Sequence, residues 1–272
     1  MTQHDFPVSG PVQVDLHARS GHATISAEDV SVATVRLTGA DDLAARSRVE
    51  MVGEVLEIDV PQLRTSLFAG FGSRLRIDVV VPTGSSVAAK SGSGDLQLVG
   101  ELNTLELRTG SGDITVASAH RVSAGTGSGS TRVERAHEVE ATAGSGDVWV
   151  GTGDNVGVRV GSGEITIDRA RQARAHTGSG GARVGEVSIA RLGSGSGNLQ
   201  VRRAVGGEVE ATAASGNVTV GVADGVAALL DCRSISGRVR SELEPTGAPG
   251  DDEASVLLRL RTTSGNISVH RA

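Results

Sequence analysis

Residues 109–116 read TGSGDITV, and the phrase returns as AGSGDVWV at 143–150 and VGSGEITI at 160–167. A single Gly-Ser-Gly run beside an acid suggests a phosphate loop or a metal site, but recurrence at a fixed interval points to architecture. The serine of each Ser-Gly pair marks the beat: Ser93, Ser111, Ser128, Ser145, Ser162, Ser179, Ser196, Ser215, Ser236 and Ser264. The steps between them are 18, 17, 17, 17, 17, 17, 19, 21 and 28 residues. Five identical steps in a row define a repeat.

A period of 17 residues is too short for helical solenoids, which need about 33 or more residues per unit. It is not a multiple of six, which speaks against a hexapeptide acyltransferase helix and its coenzyme chemistry. What remains is one β-coil per period, each hydrogen-bonded in parallel to the last at a spacing of about 4.8 Å. The expected fold is an all-β parallel β-solenoid of about 17 residues per coil; parallel crossovers are usually right-handed, a rule that short coils can break.

Counting from the marker serine, the fourth position carries Ile114, Thr131, Val148, Ile165, Ala182 and Leu199, and the sixth Val116, Val133, Val150, Ile167, Val184 and Val201. Alternate strand residues share a face, so these columns line the interior. The twelfth position (Val122, Val139, Val156, Ala173, Ala190) and the fourteenth (Ala124, Ala141, Val158, Ala175, Leu192) close the second face. Each buried Val or Ile contributes about 1.5 to 3 kcal/mol, so stability accumulates coil by coil. The Gly-Ser-Gly run is then a corner, where glycine allows positive φ and close approach of the next coil. The third position, Asp95, Asp113, Asp147 and Glu164 but Ser130, Gly181, Asn198 and Asn217 elsewhere, suits side chains that cap local backbone N–H groups.

The regular coils span 91–240. Residues 1–10 form a tail, and 11–90 alternate in strand fashion without the beat, which predicts irregular capping strands and first coils. Within them PQLRTSLFAGFGS, 61–73, holds two of the three phenylalanines and reads as a plug over the N-terminal end, with peripheral contact to a partner or membrane as the alternative. ELEPTGAPGDDEAS, 242–255, falls in an acidic loop over 241–255, and 256–272 reads as a final coil.

The 272 residues include 38 glycines, three Phe, one Trp and no Tyr. A core without aromatic anchors must be narrow, and base- or sugar-stacking platforms are missing. A net charge of −6 argues against nucleic acid. The single cysteine, Cys232, excludes an intramolecular disulfide, and its setting in AALLDCRSI reads as a buried small apolar residue. No basic n-region precedes an apolar stretch and no window approaches ~18 apolar residues, so the expected location is cytoplasmic, with no integral membrane span.

The tenth position stacks His120, His137, Asp154 and Arg171, residue types that bind transition metals, but a straight ladder is a poor tetrahedral cage and a solvated polar row is the expectation. The third-position acids lack calcium-repeat spacing, because the period is 17 rather than nine, and the coils of Ser130, Gly181, Asn198 and Asn217 carry no carboxylate there. Neither G-x-x-x-x-G-K-[ST] nor G-x-S-x-G occurs. No catalytic, cofactor-binding or metal site is assigned, and no enzyme is expected.

The repeated [ST]-G-S-G-[DE]-[IV]-x-[VI], the P-T-G-S-S-V at 82–87 and the closing T-x-S-G-N-I-x-V at 262–269 resemble the bacterial β-strand-repeat family labelled "putative adhesins", part of the toast-rack group. The resemblance covers nearly the whole chain. It implies a β-solenoid of unestablished molecular function, common in actinobacteria and sometimes encoded beside envelope-stress components. The expected role is a non-catalytic scaffold or protein-interaction module with a protein partner or self-association. A surface adhesin and a self-assembling filament are the alternatives.

Overall fold

The computed structural model describes residues 1–39, 41–61, 75–244 and 254–272. Expectations for the segment 61–73, apart from Pro61, and for most of the loop 241–255 fall outside these residues. The chain divides into two compact units, residues 1–136 and 137–272. Together the described residues form twenty strands and one short helix, Asp41–Arg46, which the strand-like alternation of this region did not predict.

In the second unit the strands Val148–Ser162, Ile165–Ser179, Ala182–Ser196 and Leu199–Ser215 pair in parallel, each with the next. The registers Val148↔Ile165 and Ile165↔Ala182 are offset by one 17-residue period. Each strand occupies nearly its whole coil and stops only at the glycine corner. This is the parallel β-solenoid that the beat requires.

All four expected columns are buried, from Ile114 and Val116 through Leu199 and Val201, with Val122 to Ala190 and Ala124 to Leu192 opposite. Two further rows also face inward. The ninth position carries Ala119, Ala136, Gly153, Ala170, Val187 and Ala204, and the sixteenth Thr126, Ala143, Val160, Thr177 and Ser194, with Ala213 in register with Ser194 after a two-residue insertion. The sixteenth-position hydroxyls brace the corner: Thr126 Oγ1 accepts the Gly129 N–H at 2.8 Å, and Ser194 Oγ donates to the Gly180 carbonyl at 3.0 Å. Thr131 Oγ1, on the fourth column, is buried with no hydrogen-bond partner.

The corner glycines Gly163, Gly180, Gly197, Gly216, Gly237 and Gly265 combine positive φ with close approach to the neighbouring coil, whereas Gly94, Gly112 and Gly129 show the close approach alone. Gly197 has φ +154°, and a Cβ built on it would land on the Gly180 carbonyl oxygen of the preceding coil. No L side chain fits there without moving the backbone.

At both chain ends stacking order departs from sequence order. In the first unit Gln13–Ala18 pairs in parallel with Val55–Val60 on one side and Ser86–Ser91 on the other. His22–Glu28 likewise lies between Arg76–Pro82 and Leu96–Thr109. The first coil is thus inserted between two that follow it. Antiparallel strands cover the outer side: Val32–Thr38 on Arg76–Pro82, Thr2–Pro7 on Val32–Thr38, and Arg48–Val52 on Val55–Val60. Thr2–Pro7, in the segment read as a tail, is thus a paired strand, and Gln3, Asp5, Arg48 and Glu50 put polar side chains on these outer strands, which discourages further pairing.

At the other end Ser255–Ser264 pairs in parallel with both Leu199–Ser215 and Ala227–Ser236. Ile267–Arg271 lies in the same way between Val218–Val222 and Val239–Ser241. The segment read as a final coil is therefore last in sequence but penultimate in space, and the coil 227–241 stands outside it.

Candidate functional site

The third-position side chains form a ladder along the corner. Asp95 Oδ1 accepts the Asp113 N–H at 3.0 Å, and Asp113 Oδ1 accepts the Ser130 N–H at 2.8 Å. In the second unit Asp147 serves Glu164 at 2.8 Å, Asn198 serves Asn217 at 2.9 Å, Asn217 serves Asn266 at 2.8 Å, and Asn266 serves Arg238 at 2.9 Å. The capping expected within one turn runs instead from each coil to its stacking neighbour. A carboxylate or amide oxygen is all this role needs, which explains why Asp and Asn alternate freely.

Gly181 interrupts the ladder, because glycine offers no oxygen to Asn198. Glu164, the side chain before the gap, turns to Arg183, whose Nη1 donates to Oε2 at 2.8 Å. A shallow open depression of about 390 Å³ results, with Glu164, Arg183, Asn198, Gln200, Asn217 and Thr219 on its walls. One ion pair, three amides and a hydroxyl can hold a polar group by hydrogen bonds. No nucleophile and base stand paired among these lining residues.

The tenth-position row resolves into separate contacts. His137 Nδ1 lies 2.9 Å from Asp154 Oδ2, and Arg171 Nη2 donates to Asn155 Oδ1 at 2.8 Å. Among the described residues no three His, Cys, Asp or Glu side chains gather as a metal site.

Outward side chains pair across coils elsewhere. Glu186 bridges Arg169 at 3.4 Å and Arg203 at 3.6 Å, one coil to either side. Arg191 meets Glu210 at 3.7 Å, and Arg259 pairs with Glu208. Each exposed pair contributes little energy, at most about 1 kcal/mol. Their positions are nonetheless fixed by the strand register, so the surface is an ordered charge pattern.

Cys232 is half-buried on the outermost coil, which corrects the expectation of a core residue. Burial, and then the charge of Asp231 beside it, push its thiol pKa up. Its neighbours show why a core was expected: Ala228, Leu230 and Cys232 continue the bore columns of Val256, Leu258 and Leu260, but on a coil with an open side.

A family model described as Toastrack DUF4097 matches residues 13–270. No curated protein matches the chain. Among solved structures it is similar to a "putative adhesin" from Bacteroides fragilis, at 13% identity and TM-score 0.40, with 100% of this chain and 96% of that chain covered. A "putative adhesin" from Parabacteroides merdae aligns at 10% identity and TM-score 0.49, covering 98% and 95%. A "putative lipid binding protein" from Parabacteroides distasonis aligns at 13% identity and TM-score 0.46, covering 96% of each. Among the described residues no helix is long and apolar enough to cross a membrane.

Proposed function

Because the chain belongs to the Toastrack DUF4097 family, we propose that it is a non-catalytic β-solenoid scaffold that holds a protein partner on its outward columns. The observation that carries this reading is the register-fixed charge pattern, seen in the Arg169–Glu186–Arg203 row and the Glu164–Arg183 pair beside the Gly181 gap. A surface whose charges are ordered before binding loses little side-chain freedom when a complementary partner docks. The scaffold works in a bacterial cytoplasm, in a pathway that responds to envelope stress.

Affinity capture from the native cell tests this. Recovery of cytoplasmic proteins, released by Glu186→Arg and by moderate salt, is the expected result. Recovery of envelope glycans or surface proteins instead would overturn it in favour of an adhesin.

A further inference from the structure

We propose that the strand Ala227–Ser236 pairs antiparallel with its own copy about a two-fold axis at Cys232, joining two molecules through their outermost coils.

This strand is hydrogen-bonded on one side only among the described residues, to Ser255–Ser264. The outer strands of the first unit each expose one valine, Val32 or Val52, beside polar side chains, whereas this strand exposes several apolar side chains together. Leu229 is 69% exposed, Ile235 75%, Leu230 38% and, on the same coil, Val239 49%, four of the eight exposed large hydrophobic residues described. An unblocked edge of this kind invites pairing with another strand.

Backbone parity and side-chain chemistry select both the occupant and the register. The Ala227 N–H donates to the Ala254 carbonyl. Peptide groups alternate sides along a strand, so odd residues turn inward to the Ser255–Ser264 strand and even residues, Ala228, Leu230, Cys232 and Ser234, face the open edge. Antiparallel pairing centred on Cys232 sets these even residues opposite one another as hydrogen-bonded pairs. The odd residues become the closer, non-hydrogen-bonded pairs: Leu229 faces Ile235 of the copy and Asp231 faces Arg233, each twice.

Shifting the centre by one residue in either direction puts Asp231 against Asp231 or Arg233 against Arg233. Only the Cys232 register joins opposite charges and the two most exposed aliphatic side chains together. Arg233 also lies directly across from Arg261 within its own chain and has no acidic partner among the described residues, whereas Asp231 reaches Arg261 at 3.7 Å. The copy's Asp231 supplies the charge that Arg233 lacks. The pairing also stacks the exposed ends of the two bores, covering Ala228, Leu230 and Cys232. It closes on itself, as an isologous two-fold contact must, so it yields a dimer and not a filament.

This contact is independent of the partner held by the outward columns, and its failure would leave that reading standing. Sedimentation velocity over a concentration series, with the intact chain of 27.6 kDa, tests it directly. A concentration-dependent dimer is expected. Asp231→Arg or Arg233→Asp alone should raise its dissociation constant by about tenfold or more, and the double exchange should restore it. Both positions are exposed, and unchanged circular dichroism would show that the variants fold. In the wild-type dimer a short bis-maleimide should join the two Cys232 thiols, the only ones present. A monomer at every concentration, or a dimer indifferent to both single reversals, would overturn the proposal.

Discussion

Asp113 Oδ1 accepts the backbone N–H of Ser130, 2.8 Å away and one full coil further along the chain. The acid that suggested a metal site in TGSGDITV is a staple between stacked coils. Its replacement therefore tests structure, not chemistry.

Asp113→Ala removes the acceptor and should destabilise the protein by about 1 kcal/mol, a typical net value for one such bond. Asp113→Asn keeps an oxygen at the same place, as Asn198 and Asn217 do in their coils, and should restore most of the loss. Urea unfolding of the three proteins measures both.

Gly197→Ala meets the Gly180 carbonyl at a φ of +154° and should cost about 2 kcal/mol or more. Gly10→Ala, where a Cβ would have nothing within 4 Å, is the control and should fall within about 0.5 kcal/mol of wild type. Equal melting temperatures for the two would remove the close-approach explanation of the glycine columns.

Inside the bore, Thr131→Val replaces a buried hydroxyl that has no partner and should stabilise by about 1 kcal/mol. Val150→Asp, on the sixth-position column of the second unit, strands a charge among buried side chains and should abolish folding. Differential scanning calorimetry of the first variant and soluble yield of the second check these outcomes.

The Cys232 thiol is raised above its ordinary value, so it stays protonated through neutral pH. Because the folded value is the higher one, the associated stability is present below the unfolded thiol pKa and is lost as pH rises through the folded one. Iodoacetamide should react more slowly with the native protein than with urea-unfolded chain at pH 8. The native rate should also reach its midpoint at higher pH. Faster reaction of the native thiol would contradict the shielding of Cys232 by burial and Asp231.

Much of this was legible because the repeat makes each column a vote of many coils. Ile114, Val148 and Ile165 one period apart fix an inward face more surely than any one strand could. The ninth and sixteenth rows escaped because Gly153, Thr177 and Ser194 break the hydrophobic pattern along those columns. The ladder from Asp147 to Glu164 was half visible, since the column named the residues but only the stacking showed which N–H they serve. The order of the end coils was not legible at all. A beat reports neighbours one period apart, whereas Ser255–Ser264 docks on Leu199–Ser215 across about three periods and displaces Ala227–Ser236 outward. That displacement carries Cys232 from an apparent core to an edge.

Residue-resolved amide hydrogen exchange, in protein dilute enough to be monomeric, tests the stacking order most directly. The coil order found here predicts strong protection throughout Ser255–Ser264, which is bonded on both sides. It also predicts alternation in Ala227–Ser236, with slow exchange at Leu229, Asp231 and Arg233 and fast exchange at Leu230, Cys232 and Ser234. Uniform protection of Ala227–Ser236 with alternation in Ser255–Ser264 would contradict it, and would return the coils to the order in which the sequence lists them.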